Sequence, residues 1–331
     1  MNVLLTSGGR RVALLREFRR ALRSLDPAGR VVVADLTAVS SAYHDADAAE
    51  RVPRVTDPAY VDTLLRLCER HAIGLIIPLI DPELPVLAAA RDRFAAVGAT
   101  VVASGPETAA VSDSKRVAAQ FFTRIGLATP QVLDPEAVLA GHLPDGIAYP
   151  LFLKPEDGSS SIGSRAIPNR DELAHWLPRT SRPLLLEHIG GIEYTVDVYC
   201  GLSGEPRCAV PRRRLETRAG EVSKGITEHQ PDVEAAAIAA ARALTDARGV
   251  LTFQCMQAPG QPPSFFELNA RFGGGAPLSI AAGADFPLWL LQERLGQVPT
   301  VADPAFRDGV LMLRWDDAVF VEDGHRVLGE R

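Results

Sequence analysis

Short apolar strands alternate with amphipathic helices through the first hundred residues, and this alternation restricts the fold more than any other feature of the chain. Strands are predicted where short runs of branched apolar residues occur, at 3–6, 31–35, 74–78 and 100–103. Helices are predicted between them, at 14–25, 60–70 and 86–94. Strands connected by helices form a mainly parallel sheet through right-handed crossovers. Residues 1–110 are therefore expected to form an α/β domain of the Rossmann-like type.

Two further units are predicted after residue 110. Residues 111–189 read as a small α+β lobe, which begins with a helix capped near Ser112–Asp113 and contains strands at 151–154, 165–167 and 184–187. Residues 190–331 contain long alternating strands and an alanine-rich helix at Val233–Leu244. This larger lobe is expected to form a mixed sheet.

Composition narrows the class of protein. The formal net charge of −6 argues against a nucleic-acid-binding surface. The four cysteines are scattered without a C-x-x-C pair, so neither a zinc site nor a disulfide framework is indicated. The chain starts with a strand, which leaves no room for a signal peptide, and it has no apolar run long enough to span a bilayer. We expect a cytoplasmic protein that binds neither nucleic acid nor membrane.

A row of polar residues marks one predicted strand of the larger lobe. Glu267, Asn269 and Arg271 alternate with Phe266, Leu268 and Ala270, so the polar side chains are expected to share one face and the apolar ones to pack on the other. If the turn centres near Gly260, then Gln254 on the preceding strand lies across from Glu267. Carboxylate and amide oxygens suit Mg²⁺, and arginine neutralises phosphate charge. A polar strand face open to water is the alternative.

A glycine- and serine-rich loop follows the predicted strand at 151–154. The segment Gly158–Ser164 has the glycine spacing of a P-loop, but it lacks the lysine before Ser164 and leads into a strand, so a Walker A site is rejected. Such a hairpin can still surround phosphate oxygens with its N–H groups, and Lys154 can supply positive charge. A mobile surface loop is the alternative. Lys115, in a first helical turn, also fits a phosphate partner better than it fits the helix dipole.

Two other glycine turns are candidates for nucleotide contact. Glu187–Val198 joins two strands through Gly190–Gly191, and its backbone could meet an adenine edge while a carboxylate after the turn binds ribose. A plain hairpin is the alternative. Gly8–Gly9 follows the first strand, but it lacks the third glycine of a dinucleotide fingerprint. That turn is expected to close the domain beside a substrate cleft.

Taken together, these segments resemble the ATP-grasp superfamily, and most closely its carbamoyl-phosphate-synthase-like members. The resemblance runs from the first strand to about Gly296. It implies that the nucleotide is contacted by Lys115, Lys154, Gly158, Ser159, Ser160, Ser161, Ile162, Gly163, Glu187, His188, Ile189, Glu193, Gln254 and Glu267. It also implies metal ligands at Gln254, Glu267 and Asn269, and catalytic roles for Arg271 and Lys154. The expected fold is an ATP-grasp fold with an N-terminal Rossmann-like domain, a small lid lobe and a large C-terminal lobe.

The resemblance implies an ATP- and Mg²⁺-dependent carboxylate–amine ligase that forms an acyl phosphate and releases ADP and phosphate. Mn²⁺ is an alternative metal, and a homodimer is left open. One departure is Ile192, where the family often has a basic residue. The chain has a single ATP-grasp copy and no glutaminase-like segment, so it is not a complete carbamoyl phosphate synthase. Phosphorylation of bicarbonate or carbamate, or nucleotide binding without turnover, are the alternatives.

Contacts to a small-molecule acid and amine are predicted from charge and position. Asp81 and Glu83 follow a strand at the carboxyl edge of the first sheet, where they could hold an ammonium group or cap the next helix. The candidates for binding the substrate carboxylate are arginines and a lysine of the larger lobe: Arg212, Arg214, Lys224 and Arg314.

Overall fold

The N-terminal part of the chain folds into a parallel sheet covered by helices on both faces. The computed structural model describes residues 1–156, 162–218, 220–322 and 325–326. The strands of this sheet are β1 Asn2–Thr6, β2 Val31–Asp35, β3 Ala48–Arg51, β4 Ile73–Pro78 and β5 Thr100–Val101. They lie in the order β3-β2-β1-β4-β5 and are all parallel, which confirms the predicted α/β domain.

The helices of this domain are α1 Val12–Leu25, α2 Ser41–Asp45, α3 Tyr60–Arg70, α4 Glu83–Ala89 and α5 Arg91–Ala96. Successive residues of a strand bury on opposite faces: Val3 packs in the core with α1, whereas Leu4 packs in the core with α3. The helix predicted at 86–94 is two helices, because the chain turns at Ala90. The sheet is therefore closed to solvent on both faces, and its carboxyl edge is left to face other parts of the molecule.

The small lobe is an antiparallel sheet with its own core. Its elements are β6 Val132–Leu133, α8 Pro135–Leu139, β7 Leu151–Pro155, β8 Arg165–Ile167, α9 Arg170–Trp176, a 3₁₀ turn at Leu177–Arg179 and β9 Pro183–Glu187. The strands lie in the order β6-β9-β7-β8. Leu151, Leu153 and Leu185 point into a cluster separate from the rest of the protein's core. The lobe is thus a distinct packing unit.

The large lobe is built on a long antiparallel sheet. Its elements are β10 Ile192–Gly201, β11 Cys208–Arg218, β12 Glu221–Thr227, α10 Pro231–Arg242, β13 Gly249–Gln257, β14 Ser264–Asn269, α11 Ala276–Ala282, α12 Phe286–Arg294 and β15 Leu311–Leu313. The order is β14-β13-β10-β11-β12-β15, and every described pairing is antiparallel. The prediction of a mixed sheet was wrong in this detail. A short hairpin, β16 Val321–Glu322 and β17 His325–Arg326, follows.

Two helices, α6 Pro106–Asp113 and α7 Lys115–Arg124, connect the first domain to the small lobe. The predicted cap near Ser112–Asp113 was wrong, because Ser114 ends the first helix and caps the second by accepting from the Val117 N–H. Helix α7 packs its Phe122 ring 5.5 Å from Phe265 on β14. This helix is therefore fixed to the large sheet, while its first residue reaches the small lobe. Within the described residues, no helix is long and apolar enough to cross a membrane.

Candidate active site

A cavity of about 280 Å³ separates the small lobe from the large sheet. One wall comes from β7, β9 and the turn after β9, and the opposite wall from β10, β11, β13 and β14. The lining residues are Lys115, Pro130, Phe152, Lys154, Pro155, Ile162, Ser164, Leu186, Glu187, His188, Ile189, Glu193, Arg214, Gln254, Met256, Phe266 and Glu267. Most of the residues predicted to contact a nucleotide are in this set.

The predicted acid–amide row is confirmed in its geometry. Gln254 on β13 pairs directly with Glu267 on β14. The Glu267 Oε1 atom accepts from Gln254 Nε2 at 3.0 Å and from Asn269 Nδ2 at 3.0 Å. Three oxygen-bearing side chains therefore converge on one face of the sheet, and two of them, Gln254 and Glu267, line the cavity.

Arg271 extends this row beyond the end of β14. Its Nη2 atom donates to Asn269 Oδ1 at 3.2 Å and to Asp81 Oδ2 at 2.7 Å. Asp81 comes from the carboxyl edge of the parallel sheet, so the ion pair connects the first domain to the large lobe. The Arg271 side chain is only 13% exposed and is held at the end of the row.

A register shift changes which phenylalanine of β14 meets the cavity. Cys255 pairs with Phe265, while Gln254 pairs with Glu267, so Phe266 has no partner of its own on β13. The extra residue is a β-bulge, which rotates Phe266 toward the cavity next to Glu267. The expectation that Phe266 packs on the opposite, apolar face was therefore wrong. Phe265 takes the core position instead.

Lys154 ends the strand β7 with its ammonium group inside the protein. The side chain is 6% exposed, and its Nζ atom lies 5.5 Å from the centre of the Phe266 ring. Burial lowers the pKa of Lys154 to about 8; nearby Glu267 partly offsets this, and Lys115 adds to it. Lys115 itself donates to the Glu156 carbonyl oxygen at 3.3 Å. Both predicted lysines thus meet at the small-lobe side of the cavity.

The other end of the cavity is apolar and narrow. Phe152 lies two residues before Lys154 on the same face of β7, and with Leu186 and Met256 it gives a slot that suits a flat ring. The backbone turn at His188 and Ile189 also lines the cavity. Gly191 has φ +126°, and a Cβ there would overlap the Gln257 carbonyl. Only glycine therefore permits this close turn.

Glu193 lies just beyond the turn and is paired with Arg214, an arginine predicted to bind the substrate instead. Arg214 Nη1 bonds to the Glu193 carboxylate and donates to Gln254 Oε1 at 3.3 Å, and its Nη2 donates to the Gly220 carbonyl at 3.1 Å. The prediction placed Arg214 at a substrate carboxylate. Arg214 lines this cavity instead. The i, i+2 spacing of Arg212 and Arg214 on one strand could not show which of the two faces the cavity.

Three of the residues predicted to bind the substrate lie away from the cavity. Glu83 is 1% exposed and accepts from Thr6 and Tyr60 hydroxyls, so it does not reach the cleft. Arg212 is 2% exposed and paired at 2.8 Å with buried Asp197. Lys224 pairs with Glu216 on the outer surface, and both side chains are about half exposed. These three predictions were wrong because Glu83 is buried among hydroxyl donors, whereas Arg212 and Lys224 are already paired with carboxylates. Arg314 donates to the Gly274 carbonyl oxygen at 2.6 Å. Gly274 belongs to the segment that follows Arg271, so Arg314 lies near the end of the active-site row.

Part of the glycine-rich hairpin lies outside the described residues, namely Gly158, Ser159, Ser160 and Ser161. The described end of the hairpin borders the cavity through Ile162 and Ser164. Between them, Gly163 has φ +78°, and a Cβ there would approach Pro155 Cγ to 3.1 Å. The role of the hairpin stays a prediction.

The donor set fits a metal held together with phosphates better than a metal held alone. Among the described residues, no group of three or more His, Cys, Asp or Glu could hold a cation. The row offers one carboxylate, Glu267, and the amide oxygens of Gln254 and Asn269, which at present accept from arginines. Mg²⁺ commonly takes one or two carboxylates and completes its ligands with phosphates and water. The row therefore suits a metal–nucleotide complex.

Two family models match the chain. The PylC-like, N-terminal domain matches residues 3–102, and the family described as ATP-grasp in the biosynthetic pathway with Ter operon matches residues 179–317. Together they cover more than half of the chain. A search of curated proteins found no significant match.

Solved structures share the fold over nearly the whole chain. The biotin carboxylase domain of Hydrogenobacter thermophilus 2-oxoglutarate carboxylase, solved with MgADP and bicarbonate, is 17% identical with TM-score 0.71, covering 93% of this chain and 73% of that one. The ADP complex of N5-carboxyaminoimidazole ribonucleotide synthetase is 15% identical with TM-score 0.69, covering 93% and 79%. The L-amino acid ligase of Bacillus licheniformis is 18% identical with TM-score 0.65, covering 92% and 76%. Residues 179–317 therefore match an ATP-grasp family, and nearly the whole chain has the fold of these carboxylases and ligases.

Proposed function

We propose that the protein is an ATP- and Mg²⁺-dependent carboxylate–amine ligase that works through an acyl phosphate. The observation that carries the proposal is the polarity of the cavity. An apolar slot with a carboxylate at its edge, Glu193, occupies one end, and Lys154 and Glu267 occupy the other. Arg271 lies beyond this charged end, bonded to Asn269, which in turn bonds to Glu267. This arrangement suits a nucleotide whose ring and ribose enter the slot and whose terminal phosphates reach the charged end.

The proposed reaction has two transfers. An oxygen of the substrate carboxylate attacks the γ-phosphorus of ATP, the bond to the β–γ bridging oxygen breaks, and ADP leaves. An amine nitrogen then attacks the acyl carbon, phosphate leaves, and the amine releases one proton. Neither transfer needs a side-chain nucleophile. The chain's contribution is to position the two substrates and to neutralise charge that develops on phosphate oxygens.

Lys154 and Arg271 act at that charged end. Lys154 is buried, so its charge acts on a phosphate through a medium that screens it less than water does. Arg271 is fixed by Asn269 and Asp81, and its planar donors suit phosphate and carboxylate oxygens. Together they favour a phosphoryl group between them.

The metal would be held by Glu267, Asn269 and Gln254. When bound there, it supplies positive charge to the phosphate oxygens. For the side chains to do this, the amide oxygens must be released from the arginines that they now accept from. The arginines are then free to contact phosphate, so the same rearrangement prepares the site for the metal and for the phosphate groups.

A screen of organic acids and amino acids for stimulated ADP release tests the proposal. The expected result is ADP and phosphate formation that requires one acid, and amide formation when the right amine is added. Glu267→Ala should remove the stimulated rate, whereas Lys224→Ala, on the outer surface, should retain it. Stimulation by bicarbonate alone would point to the carbamoyl-phosphate type of reaction. No stimulation by any acid would contradict ligase activity.

A further inference from the structure

Four arginines, one of them Arg271 of the active-site row, lie together where the first domain meets the large lobe. We call Arg10, Arg11, Arg271 and Arg314 the arginine cluster. Arg10 pairs with Glu221 at 3.1 Å, and Arg314 pairs with the same carboxylate at 3.2 Å. Arg271 pairs with Asp81. The cluster thus contains four positive charges beside two carboxylates.

Arg11 differs from the other three arginines in forming no ion pair within the described part of the chain. Its Nη1 atom is buried and has no hydrogen-bond partner among the described residues. Burial lowers the pKa of Arg11 to about 10; Glu221 opposes this, and the other three arginines add to it. A buried guanidinium nitrogen without an acceptor is costly, and such groups call for an explanation.

The loop that carries Arg10 and Arg11 is held in a fixed and unusual conformation. Ser7 has φ +50°, and its hydroxyl donates to Glu83 at 2.6 Å. The Gly9 N–H donates to Asp35 at 2.8 Å. A left-handed serine needs such support, because that conformation is unfavourable for a residue with a side chain. Buried Glu83 and Asp35 are therefore positioning residues for this loop.

Two glycines on the facing segment, Gly274 and Gly275, allow the arginines to come close to its backbone. A Cβ at Gly274 would lie 3.0 Å from Arg11 Nη1 and 3.1 Å from Glu221 Cδ. A Cβ at Gly275 would overlap the guanidinium of Arg212. The backbone of this segment passes directly between two arginines, so side chains are excluded there. Arg11 is consequently pressed against the segment that follows Arg271.

We propose that Arg11, with Arg10 and Arg314, binds a second anionic group of the acid substrate. This rests on the proposed function, in which Arg271 contacts the phosphoryl group that is transferred to the substrate carboxylate. The substrate class is then an acid that carries an additional carboxylate or phosphate. The excess of positive charge in the cluster favours such a group, and Arg11 Nη1, which has no acceptor among the described residues, is a donor for it.

Inorganic phosphate, titrated against protein saturated with Mg²⁺ and a non-hydrolysable ATP analogue, tests this inference. The analogue fills the nucleotide cavity, so calorimetry reports binding elsewhere. We expect one phosphate to bind, and Arg11→Ala to weaken it at least tenfold. Arg66→Ala, which removes an exposed arginine of the same domain, should bind as the wild type does. Two pairs of compounds then show which anionic group the cluster prefers. Tighter binding of succinate than of succinamate would indicate a carboxylate, and tighter binding of serine phosphate than of serine would indicate a phosphate.

Gly274→Ala provides a second variant that removes no charge. The added methyl group should displace Arg11 and weaken phosphate binding, while the affinity for the nucleotide analogue stays unchanged. Absence of phosphate binding to the wild type, or equal binding by Arg11→Ala and Arg66→Ala, would overturn the inference. Failure of the ligase proposal shows up separately, as absence of acid-stimulated ADP release in the unmodified protein.

Discussion

Lys154 should make nucleotide binding depend on pH in a range where most lysines do not titrate. Its pKa is lowered to about 8, chiefly by burial. The charged form is the one that attracts phosphate, so binding should be strong below this pKa and should weaken as the pH rises through it. A nucleotide phosphate, whose second pKa is about 6, stays fully ionised over the same range.

The magnitude follows from the fraction of protonated lysine. With a pKa of about 8, roughly nine tenths of Lys154 is charged at pH 7 and roughly one tenth at pH 9. If only the charged form binds well, the affinity for a nucleotide should fall about ninefold between pH 7 and pH 9. Arginine stays charged throughout, so Lys154→Arg should show a much flatter profile.

Calorimetric titration with a non-hydrolysable ATP analogue at constant free Mg²⁺, from pH 6.5 to 9.5, measures this effect. Lys224→Ala serves as the control, because that surface lysine should leave the profile unchanged. A wild-type profile that is flat to pH 9.5, or a Lys154→Arg profile with the same inflection as the wild type, would show that the buried lysine is not the phosphate contact.

Three further predictions concern activity and stability. Glu267→Ala should lower acid-stimulated turnover by about a hundredfold or more, with the free energy of unfolding changed by less than about 1 kcal/mol, and normal activity at ordinary Mg²⁺ would contradict its role. Asp197→Ala should destabilise the protein by about 3–5 kcal/mol in denaturant unfolding, because it leaves Arg212 buried and unpaired; a loss below 1 kcal/mol would mean that water replaces the carboxylate. Gly191→Ala should lower the free energy of unfolding by about 1–3 kcal/mol. Gly190→Ala should lower it little, because a Cβ at Gly190 would meet no atom within 4 Å. Equal losses of stability in the two variants would exclude a steric cause.

The sequence predicted the features that depend on local periodicity. The parallel sheet follows from apolar runs and helical spacing, and the helix Tyr60–Arg70 has the predicted bounds. The pairing of Gln254 with Glu267 was also predicted, because a hairpin turn fixes the register of its two strands. These inferences needed no knowledge of distant parts of the chain.

The features that were wrong depend on tertiary packing. The bulge that turns Phe266 into the cavity adds one residue to a strand, and alternation cannot reveal it. Glu83 and Arg212 look like free charges in sequence, yet partners far along the chain bury both. The arginine cluster arises only when the first domain meets the large lobe. The domain limits at 110 and 189 stay a prediction.

Transfer of oxygen from the acid to phosphate tests the central claim most directly. The carboxylate of the stimulating acid is labelled with oxygen-18, and the phosphate and nucleotide products are analysed by mass spectrometry. An acyl-phosphate mechanism predicts ADP as the nucleotide product, one labelled oxygen in each phosphate, and a hydroxamate when hydroxylamine replaces the amine. AMP as the stoichiometric product, or phosphate without label, would contradict the account.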